Sequence, residues 1–410
     1  MKKVISIFLI VFLTLALTAC GGGSGSSGGD SGDNTSTSTG SSEDTPKKEE
    51  PKLVTSYHEV TPFTYYRTKY FSEGLGYVES DFMCGFVDAE GNEVIPLTFN
   101  TVIGFSEGLA SVADEDWKYG CIDKTGTLVI PYKYKFIDRF SEGFACVEIR
   151  EDNKSLYGFI DKEGNELVPP IYHLVSSFHE GFATVENAEE KWGYIDKEGN
   201  EAIPLKYKSV TNFTPDGLAV VLLDEKYGFI DKTGAEAIPL IYDSVQSFRE
   251  GFAAVQVGEK WAYIDTTGKE ITEFKYDKVA PFSEDGFAWV SIAETYGFID
   301  KKGNEVIPLQ FERVGSFSHG LAYVVQGEKW GFIDTTGKVV VDYKYEKAGA
   351  FYDGLAAVKQ DDKWGFINIK GEEIVPLKYD FADDHTPNFD DGFAAMMIGD
   401  KWGYIAAGDK

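Results

Sequence analysis

The chain repeats a unit of about 35 residues, and this periodicity limits the folds that it can adopt. The stretch KWGFIDTTGK (Lys329–Lys338) occurs in earlier variants as KWGYIDKEGN (Lys191–Asn200), KYGFIDKTGA (Lys226–Ala235) and TYGFIDKKGN (Thr295–Asn304). The aligned positions, from Gly85 to Gly403, are 34 to 38 residues apart. A period of this size is typical of solenoid arrays and propellers.

Each unit predicts short β-strands joined by tight turns. One unit reads E-G-[LF]-A-x-V, then K-[WY]-G-[FY]-I-D, then E-x-I-P, and ends in a short strand with x-V-x-x-F. In the D-K-x-G-N segments Asp can bond the turn backbone and Gly supplies a positive φ, which predicts a hairpin. We therefore predict an all-β chain of tandem β-meander repeats with four strands per unit, the E-G-[LF]-A-x-V strand being innermost.

Two columns of the repeat indicate how the units pack. The second residue after the E-G glycine is Ala in nine units and Gly76 in the other. We therefore expect another part of the structure to pack closely against this position. The last strand ends in phenylalanine in every unit, and burial of each side chain would contribute about 1.5–3 kcal/mol. The phenylalanines that we assign to this column are Phe63, Phe105, Phe140, Phe178, Phe213, Phe248, Phe282, Phe317, Phe351 and Phe389.

The two ends of the repeat region are complementary halves of one unit. Leu53–Phe63 matches the second half of a unit such as Ile203–Phe213, and Phe393–Lys410 is a first half. Together the halves would complete one sheet and close a ten-bladed β-propeller. The alternative is an open β-solenoid or superhelical array, which would need polar capping repeats at its ends.

The W-G pairs at Trp192, Trp330, Trp364 and Trp402, followed by F-I-D or a variant and E-x-I-P, resemble the bacterial WG repeat family. The resemblance extends from Leu53 to Ile405. The tryptophan is replaced in five units (Cys84, Tyr119, Tyr157, Tyr227 and Tyr296), and Ala262 replaces one glycine. The resemblance implies tandem β-repeats in a surface or secreted protein and carries over no catalytic residue.

The N-terminus resembles a bacterial lipoprotein signal. Lys2 and Lys3 precede the apolar run Val4–Ala16, and Leu17-Thr18-Ala19-Cys20 has the form of a lipobox. We therefore expect residues 1–19 to be a signal peptide, Cys20 to be lipidated, 20–50 to form a disordered Gly/Ser/Thr-rich tether, and 51–410 to form the repeat domain. The expected location is extracytoplasmic, on the cell membrane, through the lipid alone.

The charge balance excludes one class of partner. With 39 basic and 67 acidic residues, the net charge is −28, which repels nucleic acid. The five histidines are scattered without metal-ligand spacing, so we expect no metal, no cofactor and no catalytic residue. Cys84, Cys121 and Cys146 replace packing residues and are read as small buried apolar groups, although export would permit a disulfide between Cys84 and Cys121.

One repeated position offers a candidate binding site. The acidic residues before the E-G glycines would encircle the axis on the face that also carries the D-K-x-G-N turns, with His319 interrupting the ring. Such a ring could attract a basic peptide, a cationic ligand or metal ions; alternatively, each residue is only a good exposed turn former. Its members are Glu73, Glu107, Glu142, Glu180, Asp216, Glu250, Asp285, Asp353 and Asp391.

These observations favour a non-enzymatic, monomeric module that binds an unidentified protein, peptide or glycan. A glycan or cell-wall binding protein that stacks sugars on Trp and Tyr is the alternative. A hydrolytic enzyme on a propeller scaffold is the third reading, and a non-repeating carboxylate cluster at the axis would support it.

Overall fold

The repeat folds entirely into strands and tight turns. The computed structural model describes residues 53–152, 154–380 and 386–408, which lie in the compact unit Glu50–Lys410. None of these segments forms an apolar helix long enough to cross a bilayer. In chain order the strands of the described residues are β1 (Tyr57–Glu59), β2 (Arg67–Ser72), β3 (Leu75–Ser80), β4 (Met83–Val87), β5 (Glu93–Phe99), β6 (Thr101–Ser106), β7 (Leu109–Ala113), β8 (Tyr119–Asp123), β9 (Leu128–Tyr134), β10 (Phe136–Ile137), β11 (Phe144–Glu151), β12 (Lys154–Asp161), β13 (Glu166–Tyr172), β14 (Leu174–Val175), β15 (Phe182–Glu186), β16 (Trp192–Asp196), β17 (Glu201–Tyr207), β18 (Ser209–Val210), β19 (Leu218–Leu223), β20 (Lys226–Asp231), β21 (Glu236–Tyr242), β22 (Ser244–Val245), β23 (Phe252–Val257), β24 (Lys260–Asp265), β25 (Lys278–Val279), β26 (Phe287–Ile292), β27 (Thr295–Asp300), β28 (Glu305–Phe311), β29 (Arg313–Val314), β30 (Leu321–Gln326), β31 (Lys329–Asp334), β32 (Val339–Tyr345), β33 (Lys347–Tyr352), β34 (Leu355–Gln360), β35 (Lys363–Asn368), β36 (Glu373–Tyr379), β37 (Phe393–Ile398) and β38 (Lys401–Ala407).

The strands form ten small antiparallel sheets, which are the blades of a β-propeller, as predicted. Blades 1 to 5 take β2–β5, β6–β9, β10–β13, β14–β17 and β18–β21 in order. Blade 6 consists of β22–β24, and blades 7 to 9 take β25–β28, β29–β32 and β33–β36. Blade 10 combines β37 and β38 with β1 from the other end of the domain.

Pairing between β1 and β38 closes the ring and confirms that the two ends complete one sheet. Tyr57 lies opposite Ala407, and the Gly408 amide donates to the Ser56 carbonyl at 2.8 Å. The predicted alignment of this segment was wrong in its register. Glu59 lies opposite Ile405, as Glu201 lies opposite Ile195 in blade 4.

The register correction moves the first phenylalanine of the column. Counting on from Glu59 as from Glu201, Phe71 and not Phe63 takes the place that Phe213 holds in blade 5. Phe71 is 3% exposed, whereas Phe63 is only partly buried. The centres of the Phe71 ring and the Tyr404 ring of blade 10 are 4.7 Å apart.

The division of the repeat into blades also differs from the prediction by one strand. The short x-V strand pairs with the strand that follows it, as β14 does with β15, so the alanine column lies on the second strand of each blade and not on the innermost. The first strands lie nearest the axis. This follows because the Arg139 guanidinium of blade 3 lies 4.3 Å from the ring centre of Tyr70 in blade 1, and only groups near the axis can meet across two blades.

The core lies between blades, not within them. A typical cluster joins Leu75 and Ile95 of blade 1 to Val102 and Val112 of blade 2. In eight interfaces the phenylalanine in or just after the first strand packs against the aromatic residue of the third strand in the preceding blade, which adds about 0.5–1.5 kcal/mol per pair beyond the area buried. The ring centres are 4.6 to 5.1 Å apart in the pairs Phe86–Phe105, Phe159–Phe178, Tyr194–Phe213, Phe229–Phe248, Tyr263–Phe282, Phe298–Phe317, Phe332–Phe351 and Phe366–Phe389.

The glycine of each W-G pair makes room for the fourth strand. This strand bulges across the glycine, so that a Cβ on Gly193 would lie 2.5 Å from the Ile203 carbonyl oxygen. In blade 6 the position holds Ala262, and there the fourth strand is reduced to the isolated bridges Trp261–Tyr276 and Ile264–Glu270. The single alanine therefore coincides with the loss of regular pairing.

Candidate functional site

The predicted acidic ring lies at the turns between the first and second strands of the blades. Glu107 and Gly108 have φ values of 52° and 88°. Two successive residues with positive φ form the two-residue hairpin turn whose twist matches that of the flanking strands. The D-K-x-G-N turns lie on the same face, as expected, and we call this side the EG face. The loops between second and third strands lie on the opposite side, which we call the loop face.

The acidic residues of the EG face connect successive blades. The Glu107 carboxylate accepts a hydrogen bond from the Gly143 amide of the next blade at 3.0 Å and pairs with Lys162 at 2.9 Å. Glu142 repeats the arrangement with Gly181 and Lys197. Although partial burial opposes ionisation of Glu142, these contacts outweigh it and lower its pKa. The same lysine position pairs with Glu73, Glu180 and Glu250.

These contacts join successive blades, so the acidic residues that make them have a structural role. Five members form an ion pair with a lysine. The Asp285 and Asp353 carboxylates accept hydrogen bonds from the backbone amides of Gly320 and Gly392. The lysines that compensate their charge were not included in the predicted site, although their regular place after the turn aspartate was a usable signal. Attraction of a cationic ligand by the ring stays a hypothesis.

The turn aspartates of the EG face are stabilised in their charged form. The Asp123 Oδ1 atom accepts hydrogen bonds from the Thr125 hydroxyl at 2.6 Å and from the Thr127 amide at 3.0 Å. Such hydrogen bonds, first from the side chains at the turn and then from backbone amides, lower the pKa of Asp88, Asp123, Asp231 and Asp265. Asn368 makes the equivalent backbone contacts in blade 9 without a titratable group.

Replacement of Asp88, Asp123, Asp231 and Asp265 by Asn should flatten the loss of stability in acid. Because their pKa is lower in the folded state than the value of about 3.9 expected on unfolding, their contribution is present above pH 4 and disappears as the pH falls through the folded pKa. Burial raises the pKa of Asp216 and Asp390, so these two residues change stability with pH in the opposite direction. They are present in both the wild type and the variant, so their effect is common to the two curves. Melting temperatures between pH 7 and pH 2.5 test this; parallel curves for the two proteins would contradict it.

A non-repeating cluster lies near the axis. Arg139 covers the ring of Tyr70, and the Tyr70 hydroxyl accepts a hydrogen bond from the Gly104 amide at 3.3 Å. Asp390 stands where five of the ten units have serine. Partial burial and the Asp353 and Asp391 carboxylates raise the pKa of Asp390, whereas Arg139 lowers it. Asp353 and Asp391 belong to the repeated ring, so the cluster adds one carboxylate that departs from the repeat.

The repeat breaks in blade 10, and two clefts flank the break. Ten positions separate Tyr379 from Phe389, against six between Tyr207 and Phe213. The segment 386–388 lies between a cleft of about 300 Å³ towards blade 1 and one of about 420 Å³ towards blade 9. We call them the 10–1 cleft and the 9–10 cleft.

The two clefts differ in character. The 10–1 cleft includes the charged residues Lys69 and Asp390 beside Tyr70. The 9–10 cleft is lined by Tyr323, Trp330, Ala348, Gly349, Ala350, Tyr352, Thr386, Pro387 and Asn388. Sequence reasoning did not identify either cleft. The signal was the stretch KAGAFYDG (Lys347–Gly354), whose small residues and tyrosine depart from the repeat.

Other residues singled out from the sequence lie elsewhere. Cys84, Cys121 and Cys146 are buried and free, and burial raises the pKa of Cys121 to about 11. Within the described ranges, His, Cys, Asp and Glu form no group of three or more that could hold a metal. Cys20 and the tether lie outside those ranges.

The fold and sequence were compared with known proteins. Curated proteins yield no match. Among solved structures, the chain is similar to a eukaryotic initiation factor, with 12% identity, a TM-score of 0.47, and coverage of 81% of this chain and 97% of that one. BamB from Moraxella catarrhalis matches with 12% identity, a TM-score of 0.36 and coverage of 75% and 96%. At these TM-scores the similarities carry no functional argument.

A family model described as "WG containing repeat" matches nine tandem segments. They are residues 85–115, 119–153, 157–190, 192–227, 227–261, 261–294, 296–330, 330–364 and 364–402. The matches cover most of the propeller and coincide with the W-G, F-I-D and E-x-I-P positions described above. The chain therefore belongs to the WG-containing-repeat family.

Proposed function

We propose that this chain is a non-enzymatic binding protein displayed outside the cytoplasmic membrane on a lipidated Cys20. The WG-repeat propeller supports a repeat-based binding module. One observation carries the proposal: the scaffold departs from its repeat at blade 10, and two open clefts flank that point. Concave sites with a few unique side chains are where such scaffolds bind ligands.

The ligand on this proposal is a protein, peptide or glycan of the cell surface. The charge of −28 disfavours nucleic acid. The lysines that pair with Glu73, Glu107, Glu142, Glu180 and Glu250 reduce the attraction of the EG face for cations, which favours the clefts over the acidic ring as the binding site. The protein acts as a monomer attached to the membrane through its lipid.

One experiment on whole cells tests the anchor and the site together. Full-length chain is expressed in a bacterium that lipidates exported proteins, and the cells are incubated with labelled purified cell walls or a panel of purified surface proteins. Wild-type cells should retain one of these ligands. Cys20→Ser should release the chain from the cell, whereas Ala350→Leu, which fills the 9–10 cleft, should leave it anchored but reduce retention about tenfold.

The control variant is Phe82→Ala, which removes an 81% exposed ring from the loop face and should leave retention unchanged. Loss of retention in Phe82→Ala but not in Ala350→Leu would place binding on the loop face and refute the cleft. A Cys20→Ser protein that stays in the membrane fraction would refute the lipid anchor.

A further inference from the structure

The 9–10 cleft exists because the first strand of blade 9 has three successive small residues, Ala348, Gly349 and Ala350. At the position of Ala348 the other units carry Val, Ile or Thr, as at Val210 and Val314. Gly349 and Ala350 follow, where blade 3 has Asp138 and Arg139. Three successive small residues therefore leave the volume of about 420 Å³ beside the segment 386–388.

Aromatic rings form one wall of the cleft. Tyr323 and Trp330 pack against each other with ring centres 4.8 Å apart. Tyr352 stands where five of the ten units have serine and is 51% exposed, so its ring can be covered by a ligand. Thr386 and Asn388 of the segment 386–388 add polar groups to the lining, and Asn388 is exposed.

Among the described residues, the lining of the cleft contains no charged side chain. None of its nine lining residues is Asp, Glu, Lys, Arg or His, although 26% of the chain is charged. Arg313 lies 6.0 Å from the Trp330 ring centre and disfavours a cationic ligand at that ring. The described lining offers no partner for an ionic group, which favours a neutral ligand with an apolar face for the rings and polar groups at its edge.

We propose that the 9–10 cleft binds an uncharged saccharide ring, stacked on Tyr352 and hydrogen-bonded by Asn388 and Thr386. A sugar ring has apolar C–H faces and a rim of hydroxyl groups, which matches a lining of aromatic rings and uncharged polar side chains. The inference rests on the proposed binding function and assigns its ligand class. It also places the contact between aromatic side chains and a glycan at the 9–10 cleft, and not along the whole tryptophan column, of which only Trp330 lines the cleft.

The test is titration of the full-length protein with chitotriose, cellotriose and maltotriose, followed by calorimetry and tryptophan fluorescence. At least one sugar should bind saturably. Tyr352→Ala should weaken binding about tenfold, whereas Tyr352→Phe, which keeps the ring, should remain within about threefold. Ala350→Leu should weaken binding at least tenfold by filling the cleft, and Phe82→Ala on the loop face should have no effect.

Circular dichroism confirms that each variant is folded before titration. The proposal is overturned if none of the three sugars binds, or if binding survives Ala350→Leu. Retention of a purified surface protein by wild-type cells, lost in Ala350→Leu and without any sugar binding, would also overturn it while leaving the proposed function intact. If neither sugars, cell walls nor surface proteins bind, both proposals fail.

Discussion

Phe71→Ala should destabilise the propeller by about 3–5 kcal/mol. The Phe71 ring is almost fully buried at the point where blade 1 meets blade 10, stacked at 3.9 Å on Phe393 and packed edge-on against Tyr404. Its removal leaves a cavity in the interface that closes the ring. The measurement is the shift in the urea unfolding midpoint at pH 7.

Phe63→Ala is the matched control for this closure. Phe63 is partly buried and meets only the Tyr379 ring among the described aromatic contacts, at 5.6 Å. Its truncation should cost about 1–2 kcal/mol, since less apolar surface is lost. Equal losses in the two variants would contradict the register in which Glu59 lies opposite Ile405.

Gly193→Ala should cost about 2–3 kcal/mol, because the new Cβ would lie 2.5 Å from the Ile203 carbonyl oxygen and 2.8 Å from the Leu205 amide nitrogen. Both contacts are with backbone, which cannot rotate away as a side chain can. The fourth strand of blade 4 must therefore move away from the new Cβ. Urea unfolding gives the cost, and amide exchange of Ile203 and Leu205 reports the movement.

Ala262→Gly provides the reverse substitution in the blade whose fourth strand is already irregular. It removes only a small side chain and adds backbone entropy to the unfolded state, so it should cost no more than about 1 kcal/mol. If Gly193→Ala were as mild as Ala262→Gly, close approach of the fourth strand would not be the reason for glycine in this column.

Much of the architecture could be predicted because its causes are local. The turn at Asp123 is determined by a carboxylate that bonds amides two and four residues ahead, and these groups are adjacent in the sequence. The complementarity of the two ends could also be read from the repeat, since each end contains half of a unit. The shared face of the E-G turns and the D-K-x-G-N turns could be predicted because every second turn of an antiparallel meander lies at the same end of its strands.

The errors concern choices between similar neighbours. The short strand β14 lies between two units and could pair with the strand that precedes it or the one that follows it; sequence spacing does not distinguish them. Phe63 and Phe71 are both phenylalanines near the start of the domain, and only the burial of Phe71 against Tyr404 identifies the one in the column. The Glu107 carboxylate accepts a hydrogen bond from Gly143, 36 positions ahead, and pairs with Lys162, 55 positions ahead. Both separations are beyond the range of any local pattern.

The sequence by itself determined the strand content, the hairpin turns, the number of units and the capacity of the ends to pair, because these depend on hydrogen bonds and side-chain alternation within about 40 residues. Only the tertiary structure decided which strands share a blade, which phenylalanine closes the ring and where the small residues at Ala348–Ala350 leave space. A cleft is the volume between segments distant in the chain, so its existence depends on how blades 8, 9 and 10 meet around the axis.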